Sequence, residues 1–280
     1  MVRSAFALLA LLAGCTTSPL TGREQYMVVS DATAVSQSAA AYGQMMGELG
    51  KKKQIETGTP RAEKVKEITD RLVKQAVLVR RDAASWKWEV QVINDPKTVN
   101  AFCMAGGKMA IYTGMWEQLK ATDDEIAQVM GHEIAHALAD HTRERMSIAM
   151  TSAAVTTAAA IAIGSRDSGP GAGLALTGAQ LAAVLAIQLP NSRNGKAEAD
   201  QIGIELAARA GYDPHAAVTL WEKMGKLGGK GQPEFLSTHP SPENRAARLA
   251  ELGNQVAPLY AAAKAGHASD SDKLITFPRK

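Results

Sequence analysis

Apolar and polar positions recur along this chain in two periods. From Arg61 to Arg80 the apolar residues Val65, Ile68, Leu72, Val73, Ala76 and Val79 are spaced by three and four, which predicts an amphipathic helix facing a core. The stretch WKWEVQVIN then alternates, with Trp86, Trp88, Val90 and Val92 on one side, as in a half-buried strand, and NDP ends it. A second strand is expected within KMAIYTGM, residues 108–115, after the turn-forming Gly106 and Gly107. The following helix has a readable start: Thr122 with Glu125 fits a capping box, and Ile126, Val129, Met130, Ala137 and Leu138 supply its buried stripe.

Further helices are expected over the Ala-rich residues 31–50 and from Lys196 to Ala210, the latter ending at Gly211. Asp213 and Pro214 cap and open another, and STHPSPENR reads as a loop before a last helix starting near Ser241-Pro242. The end of the chain, HASDSDKLITFPRK, is expected to be loosely ordered. Two uncharged runs, 146–164 and 171–189, are each long enough to cross a bilayer. They consist of Ala, Thr, Ser and Gly more than Leu, Ile or Phe, so closely packed or membrane-touching helices are expected ahead of a spanning hairpin.

Charge narrows the partners. Lys+Arg 31 against Asp+Glu 28 leaves a net charge of +3, and no block of like charge stands out beyond the short run Lys51, Lys52 and Lys53, a solvated helix end or loop. No nucleic-acid partner is expected.

The first residues, MVRSAFALLALLAGC, carry a positive charge at Arg3, an apolar run and a small-residue end, the layout of a secretion signal. LAGC also resembles the bacterial lipobox, which makes Cys15 the expected lipidation site and mature first residue. Thr16 follows without an acidic residue, and by resemblance to Gram-negative lipoproteins this points to the outer membrane, with the protein facing the periplasm. With Cys15 lipidated, Cys103 is the only thiol, so no intramolecular disulfide is available to the mature chain. Cys103 reads as a buried small hydrophobe.

The candidate chemistry lies in GHEIAH, residues 131–136. Four residues turn an α-helix by about 400°, so His132 and His136 project along nearly one line and suit a shared zinc ion. Glu133, one residue round, is placed to act as general base in metal-assisted hydrolysis of an amide. Gly131, Ala135 and Ala139 let other backbone come close. A third histidine six residues on would fall at position 142, which is Thr142, so that ligand pattern is excluded. His141, about 100° further round the helix, is expected to be a helix-end polar residue.

NAFCMAGGKMAIYTGM, GHEIAHALADH, SRNGKAEADQIGIELAARAGYDP and STHPSPENR, in this order, resemble peptidase family M48, the zinc metalloendopeptidases that include HtpX, the CAAX prenyl proteases and periplasmic lipoproteins. The likeness covers roughly residues 60–250. It implies a mainly α fold with a small β-sheet, an α+β metallopeptidase of the gluzincin type, at 61–252. A lipoprotein signal (1–15) and a tether with an N-terminal helix (16–60) precede it, and a tail (253–280) follows.

Carried over, His132 and His136 are zinc ligands and Glu133 the catalytic base. Asp200 supports the ligands, Asn100 lines the cleft and His239 is a candidate to stabilise the oxyanion. The family's edge strand, which pairs with an extended protein or peptide substrate, corresponds to Lys108, Met109, Ala110, Ile111 and Tyr112. The family's third ligand is a glutamate four residues before Asp200, where this chain has Lys196. Glu198 is a possible substitute, although an undistorted helix turns it about 200° away from Lys196. Three outcomes stay open: zinc held by two histidines and a rearranged carboxylate such as Glu198; a non-catalytic relative that binds extended polypeptide; or a lysine variant of an otherwise active sequence.

Overall fold

Local signals set the helix starts. Ser30 caps α1 (Asp31–Lys51) by accepting from Thr33 N, and Thr59 caps α2 (Pro60–Val79) by accepting from Ala62 N, with Pro60 in the first turn. A computed structural model describes residues 14–18, 20–162, 193–227, 244–267 and 271–276. Before α1 come β1 (Cys15–Thr17) and β2 (Glu24–Tyr26), an antiparallel hairpin that pairs Cys15 with Tyr26. After α1 the chain runs through β3 (Ile55–Glu56), α2, a short 3-10 turn at Arg81–Ser85 and β4 (Glu89–Ile93). It continues through β5 (Ala101–Met104), β6 (Lys108–Tyr112), α3 (Gly114–Glu117), α4 (Asp123–Leu138) and α5 (His141–Ala162). The last described helices are α6 (Arg193–Arg209), α7 (Ala216–Lys226) and α8 (Arg245–Lys264). The protein is thus mainly helical with small sheets, an α+β architecture.

The larger sheet has the order β3-β4-β6-β5, with β4 parallel and β5 antiparallel to β6. Both faces are covered. Val92, Ala101, Cys103, Met109 and Ile111 enter the main core with α2, α4 and α6, while Ile93, Phe102, Met104 and Ala110 pack into a second cluster with Ala34, Ala41 and Tyr42 of α1. A sheet buried on both faces explains why Ile93, on the face opposite Val92, is also buried. On α2 the expected stripe is buried except for Val73, which is half-buried.

The sequence reading placed the substrate-binding edge strand at 108–112, and the topology corrects this. Lys108–Tyr112 is an interior strand, hydrogen-bonded to β4 on one side and β5 on the other, so its backbone has no open edge. The edge on this side of the sheet is β5.

Two glycines decide how closely α4 and α6 approach. A Cβ on Gly131 would stand 2.8 Å from Gly203 O, and one on Gly203 would stand 2.7 Å from His132 N. Only backbone-to-backbone contact fits there, and it lays the GHEIAH helix directly against the helix carrying Lys196, Glu198 and Asp200.

Two segments read as loose are held. Around the hairpin, Gln25 Nε2 donates to Ala139 O at 2.7 Å, Arg143 Nε to Val29 O at 2.6 Å, and Ser147 Oγ accepts from the Val28 and Val29 amides at 3.1 Å each. In the tail, the buried Glu205–Arg209 pair on α6 satisfies passing backbone: Glu205 accepts from Ile275 N and Thr276 N at 3.0 Å each, and Arg209 donates to Ser271 O at 2.6 Å. Leu274 joins the main core. Helix α8 runs through the expected domain end at 252 to Lys264.

The lysines at the end of α1 are exposed. Among the described residues no helix is long and apolar enough to cross a membrane. The signal residues 1–13, the uncharged run 171–189, the Ser241-Pro242 helix start and His239 lie outside the described residues.

Candidate metal centre

Helix α4 begins at a complete capping box: Thr122 N donates to Glu125 Oε2 at 2.9 Å and Glu125 N to Thr122 Oγ1 at 3.3 Å. Lys223 Nζ and Thr219 Oγ1 of α7 also reach the Glu125 carboxylate, at 2.6 and 2.7 Å, which ties the start of α4 to the neighbouring helix. Two turns on, His132 and His136 face each other with Nε2 atoms 3.2 Å apart, their rings edge to face. Both are buried, as is Glu133 between them in sequence.

The ring nitrogens turned away from this contact are each held. His132 Nδ1 lies 3.1 Å from Asp200 Oδ1, the oxygen that also accepts from Arg245 Nη2 at 2.6 Å. Arg245 is in turn stacked over the Trp221 ring, 3.5 Å from its centroid. His136 Nδ1 lies 2.7 Å from His141 Nδ1, and His141 Nε2 lies 2.8 Å from Glu198 Oε2. Arg23 of the hairpin closes this second chain, with Nε 2.8 Å from Glu198 Oε2 and its two terminal nitrogens on Glu144 at 2.9 and 2.6 Å.

These contacts assign the tautomers. A carboxylate only accepts, so His132 carries its proton on Nδ1 facing Asp200, and His141 carries one on Nε2 facing Glu198. His141 Nδ1 is then the acceptor for His136 Nδ1–H. Both His132 and His136 consequently present Nε2 as an electron-pair donor, and the two donors point at each other. Two lone pairs at that distance repel unless a cation is shared between them, so the pair fits a metal ion, and imidazoles braced from behind by carboxylate or imidazole are the usual ligands of zinc.

The donor set is complete at two positions. Among the described residues no group of three His, Cys, Asp or Glu side chains comes together to hold a metal. Lys196, where the family likeness leads one to expect a third ligand, is buried on α6 one turn before Asp200. Glu198, considered as a substitute ligand, spends its Oε2 on His141 and Arg23, behind His136.

Burial and charge tune the groups. Burial pushes His132 and His141 below the ordinary histidine range, only partly countered by Asp200 and Glu198 respectively, so both are neutral at pH 7. Burial would raise Asp200, but Arg245 and His132 hold it below the usual carboxylate range. Glu133 moves the other way. Burial pushes its carboxyl up to about 8, against the opposing charges of Arg145 and Arg245 and a hydrogen bond from the Cys103 backbone. A carboxyl poised near neutrality suits a group that takes up and returns a proton.

Asn100 is buried at the start of β5, its Oδ1 accepting from Ala101 N at 2.9 Å and its carbonyl from Tyr112 N at 3.0 Å. Because Asn100 is a hydrogen-bonded partner of Tyr112, the alternation of an antiparallel pair turns the backbone groups of Ala101 and Cys103 to the outer edge of β5. The Cys103 amide facing Glu133 agrees with this. Lys108 pairs with Glu89 at 2.8 Å, and the Met109 carbonyl accepts from Tyr42 OH at 2.9 Å, so these residues support the sheet. Cys15 is exposed and Cys103 buried.

The sequence profile of Peptidase family M48 matches residues 60–252. The chain belongs to this family. Among M48-type relatives it is 40% identical over 164 residues to the mitochondrial metalloendopeptidase OMA1 of Arabidopsis thaliana, covering 59% of this chain and 31% of that protein. To OMA1 of Schizosaccharomyces pombe it is 33% identical over 238 residues, 83% of this chain and 65% of the relative. To the beta-barrel assembly-enhancing protease of Escherichia coli K12 it is 32% identical over 164 residues, 58% of this chain and 34% of the relative. The chain thus spans between about a third and two thirds of the length of these curated relatives.

Three participants were not assigned from the sequence of this M48 chain: His141, Arg23 and Arg245. His141 is expected from the sequence as a polar residue at the helix end. Instead the chain breaks at Asp140, whose φ of 57° is left-handed and whose turn is held by Arg80 donating to Asp140 Oδ1 at 2.9 Å and Leu138 O at 2.8 Å. That reversal swings His141 back onto His136. Arg245 ends the PENR stretch that carried part of the family likeness, so its motif was the available signal; Arg23 had none.

Proposed function

We propose that this protein is a zinc-dependent metalloendopeptidase of the bacterial envelope, anchored to the outer membrane through a lipidated Cys15 and cleaving extended segments of misfolded envelope proteins. The observation that carries the reading is the His132–His136 pair, Nε2 to Nε2 at 3.2 Å with both Nδ1 atoms braced, next to Glu133. His132 and His136 would hold the ion, which supplies Lewis acidity toward a peptide carbonyl and a water. Glu133 takes the proton from the attacking water and returns it to the leaving amine. The outer edge of β5 offers the Ala101 backbone groups and the Cys103 carbonyl to a substrate strand, which brings its carbonyls beside Glu133. His239 is assigned to stabilise the oxyanion and Asn100 to hold the end of the β5 edge. The names of the relatives, metalloendopeptidases and an assembly-enhancing protease, favour the same chemistry on protein substrates.

A second reading has one specific observation in its favour. A lysine, normally cationic, where the family likeness expects the third ligand opposes a nearby metal, which suits a pseudo-peptidase that uses the β5 edge to hold extended polypeptide without cutting it.

Zinc content and casein cleavage separate the two. About one zinc per chain, with cleavage lost in Glu133→Ala, is expected of the enzyme. No zinc and no cleavage in the native chain, both appearing in Lys196→Glu, would establish the pseudo-peptidase.

A further inference from the structure

The two imidazoles of the centre are braced by different parts of the molecule. His132 leans on Asp200, a neighbour from the adjoining helix. His136 leans on a chain of three residues from three separate elements: His141 of α5, Glu198 of α6 and Arg23 of the N-terminal hairpin. The links measure 2.7, 2.8 and 2.8 Å, His141 is 3% exposed at its side chain and Glu198 7%. The outer end is fixed by the two-pronged contact of Arg23 with Glu144.

We propose that His141 and Glu198 are positioning residues for His136, and that Arg23 clamps this relay so that the hairpin beginning at Cys15 is a working part of the metal centre. Each link follows from donor and acceptor chemistry. Glu198 can only accept, which fixes the proton of His141 on Nε2. His141 Nδ1 then can only accept, which fixes the proton of His136 on Nδ1. His136 Nε2 is thereby kept as a donor of electrons toward the space it shares with His132. Without the relay the His132 Nε2 lone pair, 3.2 Å away, would draw the His136 proton to Nε2, where a cation is to bind. Arg23 holds the Glu198 carboxylate in register; its loss lets that carboxylate rotate away from His141.

As the support of a metal ligand the proposal rests on the reading above, but its first test needs no metal. Long-range proton–nitrogen correlation spectra of the metal-free full chain report which ring nitrogen of each histidine bears the proton. Native His136 is expected as the Nδ1–H form and His141 as the Nε2–H form. His141→Phe keeps the ring volume and removes the acceptor, and is expected to shift His136 mainly to Nε2–H. Glu198→Gln, whose Oε1 can still accept, and Arg23→Met are expected to give mixtures, detectable even if His141→Phe does not fold. Cobalt or zinc competition is then expected to fall about 10–100-fold in His141→Phe and less in the other two, in either the native or the Lys196→Glu background. A native His136 in the Nε2–H form, or a tautomer unmoved by all three substitutions, overturns the relay. A native chain that takes up no metal but shows the expected tautomers overturns the zinc reading and leaves the relay standing.

Discussion

The two sides of the histidine pair are built differently. His132 is backed by a short arrangement in which one Asp200 oxygen serves both the imidazole and Arg245, itself pressed on Trp221, beside two helices locked at Gly131 and Gly203. His136 is backed by a longer chain that ends at Arg23, 20% exposed in its side chain, on a two-stranded hairpin. The first side is stiff because Asp200 and Arg245 are interior. The second is adjustable because its last member belongs to a small, peripheral unit, so structural damage and metal-affinity damage should separate between the two.

The largest effect is expected on the stiff side. Asp200→Ala leaves the buried Arg245 charge without its carboxylate and should cost about 3–5 kcal/mol of stability, read as a shift in urea midpoint. Gly203→Ala forces a methyl against His132 N and should cost about 1–3 kcal/mol, with the loss reported first by fluorescence of Trp221 and only later by the hairpin.

Glu133 allows a sharper test by pH. Its carboxyl titrates at about 8 in the folded metal-free protein, whereas the unfolded value is ~4.3. Between these values the folded state keeps a proton that the unfolded state has lost, so this group lowers stability as pH rises from ~4.3 to about 8 and adds no further slope above. Metal-free Glu133→Gln should therefore gain on the native protein as pH is raised from 5 to 8. Asp200 has the opposite sign: held below the usual range, it contributes stability above its unfolded value of ~3.9 that is lost as pH falls through its folded value. Calorimetric scans across pH read both slopes, and a native protein with no difference from Glu133→Gln between pH 5 and 8 would count against the burial argument. The smallest stability effect belongs to Arg23→Met, on the order of 1 kcal/mol because the pair is partly solvated. Its metal-affinity loss should nonetheless exceed that of an equally destabilising change elsewhere on the surface.

What could be read from the chain divides along the same line. The capping box at Thr122 and Glu125, the buried stripe of α4 and the i, i+4 histidines are local, and local spacing carries them. Asp200 came through the family likeness, and the small size of Gly131 was noted without the partner it admits. The edge strand, carried over from the family likeness to 108–112, falls instead in the interior, because pairing joins residues distant in sequence and only the registers show β6 filled on both sides. His141, expected as a polar helix end, opens the next helix after a left-handed Asp140 and turns inward onto His136, a contact that spacing does not carry. Arg23 lies 175 positions from Glu198, beyond any local pattern.

The contact between Gly131 and Gly203 has a consequence in evolutionary terms. Because the spacing of the two helices is set by main chain against main chain, it does not depend on which side chain occupies position 196. Lysine and glutamate codons differ by a single nucleotide, so exchange of the lysine for a carboxylate at position 196 is one mutational step on an unchanged scaffold. The same frame therefore stands ready for either side chain at position 196.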